Sequence, residues 1–300
     1  MTDTVILAQA AKRKKQYSAG AIVGKVFVYL ALIIFALWIL VPFYIILVTS
    51  FKLPEETFLT TNIFGLPSGF HFDGYQMALT YTAYRENIPV VLKGFLNTLW
   101  VVLPPTLLGL LTSSLAAYAF AKLRFRAKNA MFAILLATMM IPGTITLTPS
   151  YMLYAELHWT RTPLPLMIPG MFGAAACVFF MRQFYTGIPT DLIEAAKLDG
   201  MGYFGIFFKI MVPLSVPALL AQGILGFLGG YNDYFGPLLY VSGTQYLTLQ
   251  VALRTFVGTY ADETPTVMAG AVLALTPMLV IYIVAQKFFI QGIATAGMKI

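Results

Sequence analysis

Cut at its charged residues, the chain leaves six windows free of Asp, Glu, Lys and Arg: 26–51, 94–121, 129–155, 162–181, 210–232 and 264–286. Each supplies the ~20 apolar residues with which a helix crosses ~30 Å of hydrocarbon. The runs are continuous and do not alternate, which points to helices and away from a β-barrel. Composition agrees: 10% of the 300 residues are charged and 59% apolar, against about 25% and 45–50% in soluble domains. The expected fold class is all-α integral membrane, with six transmembrane helices. A seventh uncharged window, 234–253, has Ser, Gly, Thr and Gln at its centre. Lipid burial of these groups is costly, so a re-entrant or external segment is expected there.

The cations set the orientation. With both termini inside, only Lys52, Arg85, Lys93, Arg161 and Arg254 of the 19 Lys and Arg fall outside, which predicts an N-in, C-in arrangement. A seventh span would move Lys287 and Lys299 outside and weaken that bias. The net charge of +7 then reads as a topology signal, with no nucleic-acid partner implied. Lys12, Arg13, Lys14 and Lys15 can also touch anionic headgroups of the lipid bilayer. The first 25 residues, polar and basic, lack the pattern of a cleavable leader. The organisation expected is a cytoplasmic basic segment 1–25, a membrane domain 26–290 and a cytoplasmic tail 291–300.

Catalytic groups are scarce. No phosphate-binding P-loop, nucleophile elbow or H-E-x-x-H occurs, and the histidines, His71 and His158, both lie outside the windows. Neither a catalytic nor a metal site is expected. Cys177 stands alone in the fourth window and is expected to pack as a small apolar residue. The windows hold no ionisable group of the kind that ion-coupled carriers need at membrane depth. Uphill transport would draw its energy from outside the chain. A secondary carrier of small polar solutes is the competing reading, and an intramembrane enzyme is a weaker one.

One stretch, "PTDLIEAAKLDGMGYFGIFFKIMVPLSVP" at 189–217, interrupts this pattern with charge. Gly187-Ile188-Pro189 closes the fourth window, and Thr190 or Asp191 can cap a new helix, with Glu194 at capping-box spacing from Asp191. Leu192, Ala195 and Ala196 fall at helical spacing, and Gly200 and Gly202 stop the helix. A small-residue face lets another protein approach the backbone, while Glu194, Lys197 and Asp199 offer polar contacts. A plain amphipathic connector on the membrane surface fits the same spacing.

The residues resemble a known family. "EAAKLDGMGYFGIFFKIMVP" is similar to the E-A-A-x-x-x-G-x9-I-x-L-P loop of ABC importer permeases, with Glu194, Ala195, Ala196, Gly200, Ile210 and Pro213 in register and Val212 where Leu is usual. "TSFKLPEE", "NTLWVVLPPTLLGLLTSSLAAYAFAKLRFRAKN", "MMIPGTITLTPSYMLY", "YNDYFGPLL" and "QGIATAGMKI" extend the likeness along nearly the whole chain. They are similar to the second permease subunit of maltose-transporter-type, carbohydrate-uptake systems. Tyr231, where Trp is common, and the Met298-Lys299-Ile300 ending depart from the pattern.

The resemblance implies the six-helix fold of type I importer permeases. It also implies a coupling loop at about 187–213, in which Glu194, Ala195, Ala196, Asp199 and Gly200 dock on an ATP-binding subunit. It implies no cofactor on this chain, with ATP and magnesium in two partner ATPases. The remaining partners are a second homologous permease, an extracytoplasmic solute-binding protein and a carbohydrate substrate. The C-terminal tail is similar to one that reaches between the ATPases; a disordered tail is the alternative.

Candidates for the substrate path are Tyr231 and Tyr234, as stacking faces, and Asn232 and Asp233, as hydroxyl partners. An interfacial aromatic belt would use the same residues. Asn97 is a further candidate, or else a hydrogen-bonding partner of a neighbouring helix. Gly223, Gly226 and Gly230 form a smooth stripe for close helix packing, within the chain or between subunits. Pro42, Pro104, Pro105, Pro142, Pro149 and Pro217 kink spans, shaping a cavity or improving packing.

Overall fold

The computed structural model describes residues 19–59, 63–82 and 87–297, and every regular element within them is helical. Lys12 to Lys15, Arg85 and Met298 to Ile300 lie outside the described residues. The helices are α1 (Ala19–Thr49), α2 (Pro54–Leu59), α3 (Asp73–Thr80), α4 (Val90–Lys122), α5 (Lys128–Thr138), α6 (Gly143–Glu156) and α7 (Leu164–Met171). They continue with α8 (Ala175–Gly187), α9 (Asp191–Leu198), α10 (Tyr203–Leu214), α11 (Val216–Tyr231), α12 (Phe235–Val241), α13 (Leu249–Thr259) and α14 (Thr264–Gly297).

Four stretches are long and apolar enough to cross a membrane alone: Val23–Thr49, Val90–Lys122, Leu164–Gly187 and Thr264–Val284. The windows 129–155 and 210–232, in which kinks are expected at Pro142, Pro149 and Pro217, break sharply. The first breaks by 92° between α5 and α6 and the second by 82° between α10 and α11; if each bent pair is one span, the count reaches six. Proline explains both breaks. Pro142 has no amide to give and holds an extended conformation before α6. Pro213 and Pro217 flank Ser215, where α10, after a π-helical turn at Phe207–Met211, gives way to α11. The Ser215 hydroxyl donates to the Met211 carbonyl at 2.7 Å, beside a backbone bond to the same oxygen.

The central helix is α4, which packs against α7, α8, α11 and α13. Small residues allow the approach. A Cβ on Gly109 would lie 2.3 Å from the Gly170 carbonyl oxygen, so α4 and α7 meet backbone to backbone. Along α11, a Cβ on Gly223, Gly226 or Gly230 would meet Leu110, Thr106 or Val102 of α4 at 3.3, 3.7 and 2.7 Å. The glycine stripe therefore serves packing within this chain. By contrast α1 is apolar all round, exposes its side chains from Val23 to Val41, and rests on α14, as a helix immersed in lipid does.

Around α2, local chemistry orders the loop. Pro54 opens the helix, and the Glu56 carboxylate accepts the Leu53 amide at 3.0 Å and the Ser68 amide at 2.9 Å. Hydrogen bonds from the Ser68 side chain and the Leu53 amide hold the Glu56 carboxyl below its ordinary range. The 234–253 window is divided between α12, a turn and the start of α13, none of which spans. Residues 291–297, expected as a separate tail, continue α14 instead.

Candidate functional site

The charged stretch forms α9 at one end of the bundle. The Lys122 ammonium, at the last residue of α4, donates to the Ile188 carbonyl and ties the two segments together. Thr190 is helical in conformation (φ −71°, ψ −26°) and its side chain makes no cap. The expected capping box is thus absent, because an N-cap hydroxyl reaches the N3 amide from an extended backbone. The Thr190 carbonyl instead accepts the Ile193 and Glu194 amides.

Ile193 and Ala196, three residues apart, are buried in a core with Tyr118, Tyr185, Ile206 and Phe207. This corrects the expected face of Leu192, Ala195 and Ala196: Ala196 turns inward, while Leu192, Glu194, Ala195 and Lys197 stay exposed and Leu198 is 90% exposed. Gly200 ends the helix at φ +80°. Its amide bonds the Lys197 carbonyl at 3.0 Å, and the Met201 amide bonds the Ala196 carbonyl at 2.9 Å. This is a Schellman ending, in which the left-handed position strongly favours glycine. Beneath α9, the wholly buried Tyr185 sets its hydroxyl against those of Ser114 on α4 and Ser215 before α11.

At the other end lies a crevice. A cavity of about 250 Å³ is lined by Val102, Pro105, Thr106, Gly226, Asp233 and Thr248 among others. A second, of about 100 Å³, shares Pro105, Thr106 and Gly226 and reaches Cys177 and Gln222. Together they follow α4 inward from Asp233.

Of the sequence candidates, Asp233 lines this crevice, with Oδ1 accepting the Gly236 amide at 3.1 Å. Tyr231 does not. It is 1% exposed, packs on Phe227 one turn earlier, and donates its hydroxyl to the Ala274 carbonyl at 2.9 Å, so its ring offers no free face. The Tyr234 hydroxyl accepts from Arg254. Asn232 is exposed and its amide donates back to Leu228. The Asn97 amide donates to the Gln245 and Leu247 carbonyls, both at 2.9 Å, which pins the turn before α13 and occupies both N–H groups.

Thr106 and Thr248 were missed by sequence reasoning. Thr248 precedes α13 and reads as its cap, yet the Leu249 amide bonds the Thr98 hydroxyl of α4 at 2.8 Å. The Thr248 hydroxyl is left buried, beside the crevice, without a partner among the described residues.

The chain is similar to known proteins over most of its length. Residues 109–295 match the family model described as binding-protein-dependent transport system inner membrane component. The arabinooligosaccharides transport system permease protein AraQ of Bacillus subtilis (strain 168) is 32% identical over 261 residues, 87% of this chain and 90% of that protein. The probable starch degradation products transport system permease protein AmyC of Thermoanaerobacterium thermosulfurigenes is 32% identical over 272 residues, 90% of this chain and 95% of that one. A bacterial ABC transporter involved in the import of the acidic polysaccharide alginate contains a chain of the same fold. It superposes with a TM-score of 0.76 at 24% identity, covering 91% of this chain and 99% of that one. The chain belongs to the family of binding-protein-dependent transport system inner membrane components.

Proposed function

We infer that the chain is the permease subunit of an ATP-driven importer that carries a sugar or oligosaccharide across the cell membrane. Six spans in an N-in, C-in arrangement place α9 in the cytoplasm, where it couples the bundle to an ATP-binding subunit. The observation that carries this reading is α9 itself: a short helix anchored by Ile193 and Ala196, with Leu192, Ala195 and Leu198 left exposed. Exposed apolar side chains around a charge such as Glu194 suit a protein cleft better than water. The carbohydrate follows from the names of the relatives.

By family resemblance, a second permease completes the pore, a solute-binding protein delivers the sugar, and two ATPases bind ATP and magnesium. Closure of the ATPases pushes α9, and the bundle rocks about a central site. Tyr185, bonded to Ser114 and Ser215, joins α4, α8 and the α10–α11 bend beneath α9. Substrate contact is assigned to Asp233, Thr106 and Thr248 along the crevice, and to Asn232 and Tyr234, which flank Asp233 in sequence.

The test is co-purification and uptake in the native host. The tagged chain should recover a second permease and an ATPase and support ATP-dependent sugar uptake. Glu194→Arg should abolish ATPase recovery and uptake while the chain still inserts. Normal uptake by that variant would remove the coupling role of α9, and uptake by the chain alone would restore the secondary carrier.

A further inference from the structure

The connection between α4 and α5 gathers positive charge that α9 and the crevice do not use. Lys122, Arg124, Arg126 and Lys128 fall within seven residues of sequence, and Arg182 of α8 joins them, its guanidinium 4.0 Å from the centre of the Phe132 ring and bonded to the Phe120 carbonyl at 3.3 Å. No carboxylate among the described residues pairs with any of these five. Besides Arg182, two more already have carbonyl partners: Lys122 donates to Ile188, and Lys128 donates to Leu123 at 2.9 Å. Arg124 and Arg126 are exposed and make no hydrogen bond to the described chain. The loop turns through Ala127 at φ +61°, a left-handed conformation unusual for a residue other than glycine. That turn opens a groove of about 370 Å³ lined by Arg124, Phe125, Lys128, Asn129 and Ala130.

What lies beyond the groove identifies its occupant. Phe132 and Leu135 of α5 pack on the core, but no residue of α5 is fully buried. Ala130, Ala133, Ile134 and Ala137 form an exposed apolar stripe at i, i+3, i+4 and i+7. The stripe begins at Ala130, inside the groove, and leads away from the cations along the helix. Cations, an amide donor and then an apolar track match a molecule with an anionic head and a hydrocarbon tail. An acidic protein surface would need a polar continuation instead.

We propose that the α4–α5 groove is a site for an anionic phospholipid, whose phosphate is held by Arg124, Lys128 and Asn129 and whose acyl chain runs along Ala130, Ala133 and Ile134. Basic pockets at helix ends recognise such headgroups through charge and hydrogen bonds together. The site tethers the end of α4 that also holds Ile188, and so steadies the segment from which α9 springs.

The experiment is native mass spectrometry of the full-length chain in detergent, titrated separately with phosphatidylglycerol and phosphatidylcholine. One phosphatidylglycerol should be retained in preference to phosphatidylcholine, and binding should weaken as salt rises. Arg124→Gln should weaken it about fivefold, whereas Lys209→Gln, which removes an exposed cation outside the groove, should leave it unchanged. Ile134→Asn should weaken it while keeping every cation. Equal loss in Arg124→Gln and Lys209→Gln, or equal binding of the two lipids, would overturn the site. Glycerol phosphate competing as well as the lipid would show a headgroup pocket without a tail track and overturn the lipid assignment. Displacement of bound lipid by the purified partner ATPase would assign the groove to that protein instead. If Arg124→Gln fails to insert, the salt series and Ile134→Asn on their own decide the matter.

Discussion

At the scale of single residues, one motif divides into three physical tasks. Glu194 and Ala195 face outward, Ala196 is a core residue, and Gly200 supplies a backbone conformation. The spacing alone put Ala195 and Ala196 on one face, because adjacent small residues look alike until the helix has a side to bury. Ile193 decides it, since it carries Ala196 inward one turn later. A Cβ on Gly200 would meet nothing within 4 Å, so crowding does not account for the glycine. Its φ of +80° does. Gly200→Ala should therefore cost about 1–2 kcal/mol at this one turn and fray the end of α9 without disturbing the bundle. Gly200→Asn, which tolerates the left-handed region, should cost less. Hydrogen exchange of residues 195–201 measures this directly: faster exchange in the alanine variant, with α4 unchanged, is expected, and equal exchange in both variants and the parent would refute the conformational account.

At the scale of elements, α9 behaves as a plate with two surfaces, and the two alanines separate them. Ala196→Leu inserts three carbons into a filled core beside Tyr118 and Phe207, and overpacking of this kind costs about 1–3 kcal/mol. It should lower the melting temperature of the detergent-solubilised chain. Ala195→Leu adds the same volume to an exposed position; thermal stability should hold, while ATPase recovery falls. A fluorescence melt and a pull-down on both variants check the assignment, and a pattern opposite to this would reverse the two surfaces. The spans show which features of elements are readable from sequence. Charge-free windows coincide with long apolar helices at Val90–Lys122 and Thr264–Val284. The prolines named the kink positions at Pro142 and Pro217 but not the size of the breaks, since neighbouring helices determine how far a proline-weakened helix bends. Nor did charge-free length reveal that residues 291–297 prolong α14, whose Gly and Ala content is compatible with either state.

At the scale of the molecule, the two candidate sites sit at opposite ends and should fail in different ways. Glu194 and Ala195 are on α9, whereas Asp233 and Thr248 border the crevice beyond the far end of α11. Asn97 and Tyr231 shared the same sequence neighbourhoods as true lining residues, yet each spends its polar groups on holding the fold, to Gln245 and Leu247 in one case and to Ala274 in the other. Local chemistry nominated them, and only the three-dimensional partners distinguish a brace from a contact. Thr248 is the reverse case. Its hydroxyl is buried without a partner among the described residues, which costs about 1–3 kcal/mol if nothing else bonds it. Thr248→Val keeps the shape and removes that cost, so the variant should be at least as stable as the parent. If the hydroxyl is reserved for a sugar, the KM for uptake should rise while ATPase recovery stays intact. Asp233→Asn, which retains an acceptor for the Gly236 amide, should behave likewise. A Thr248→Val variant that gains stability with unchanged uptake would show that the crevice is not on the substrate path. Loss of ATPase recovery in that variant would show instead that the two ends are not separable, and that strain at the crevice is transmitted along α4 and α11 to α9.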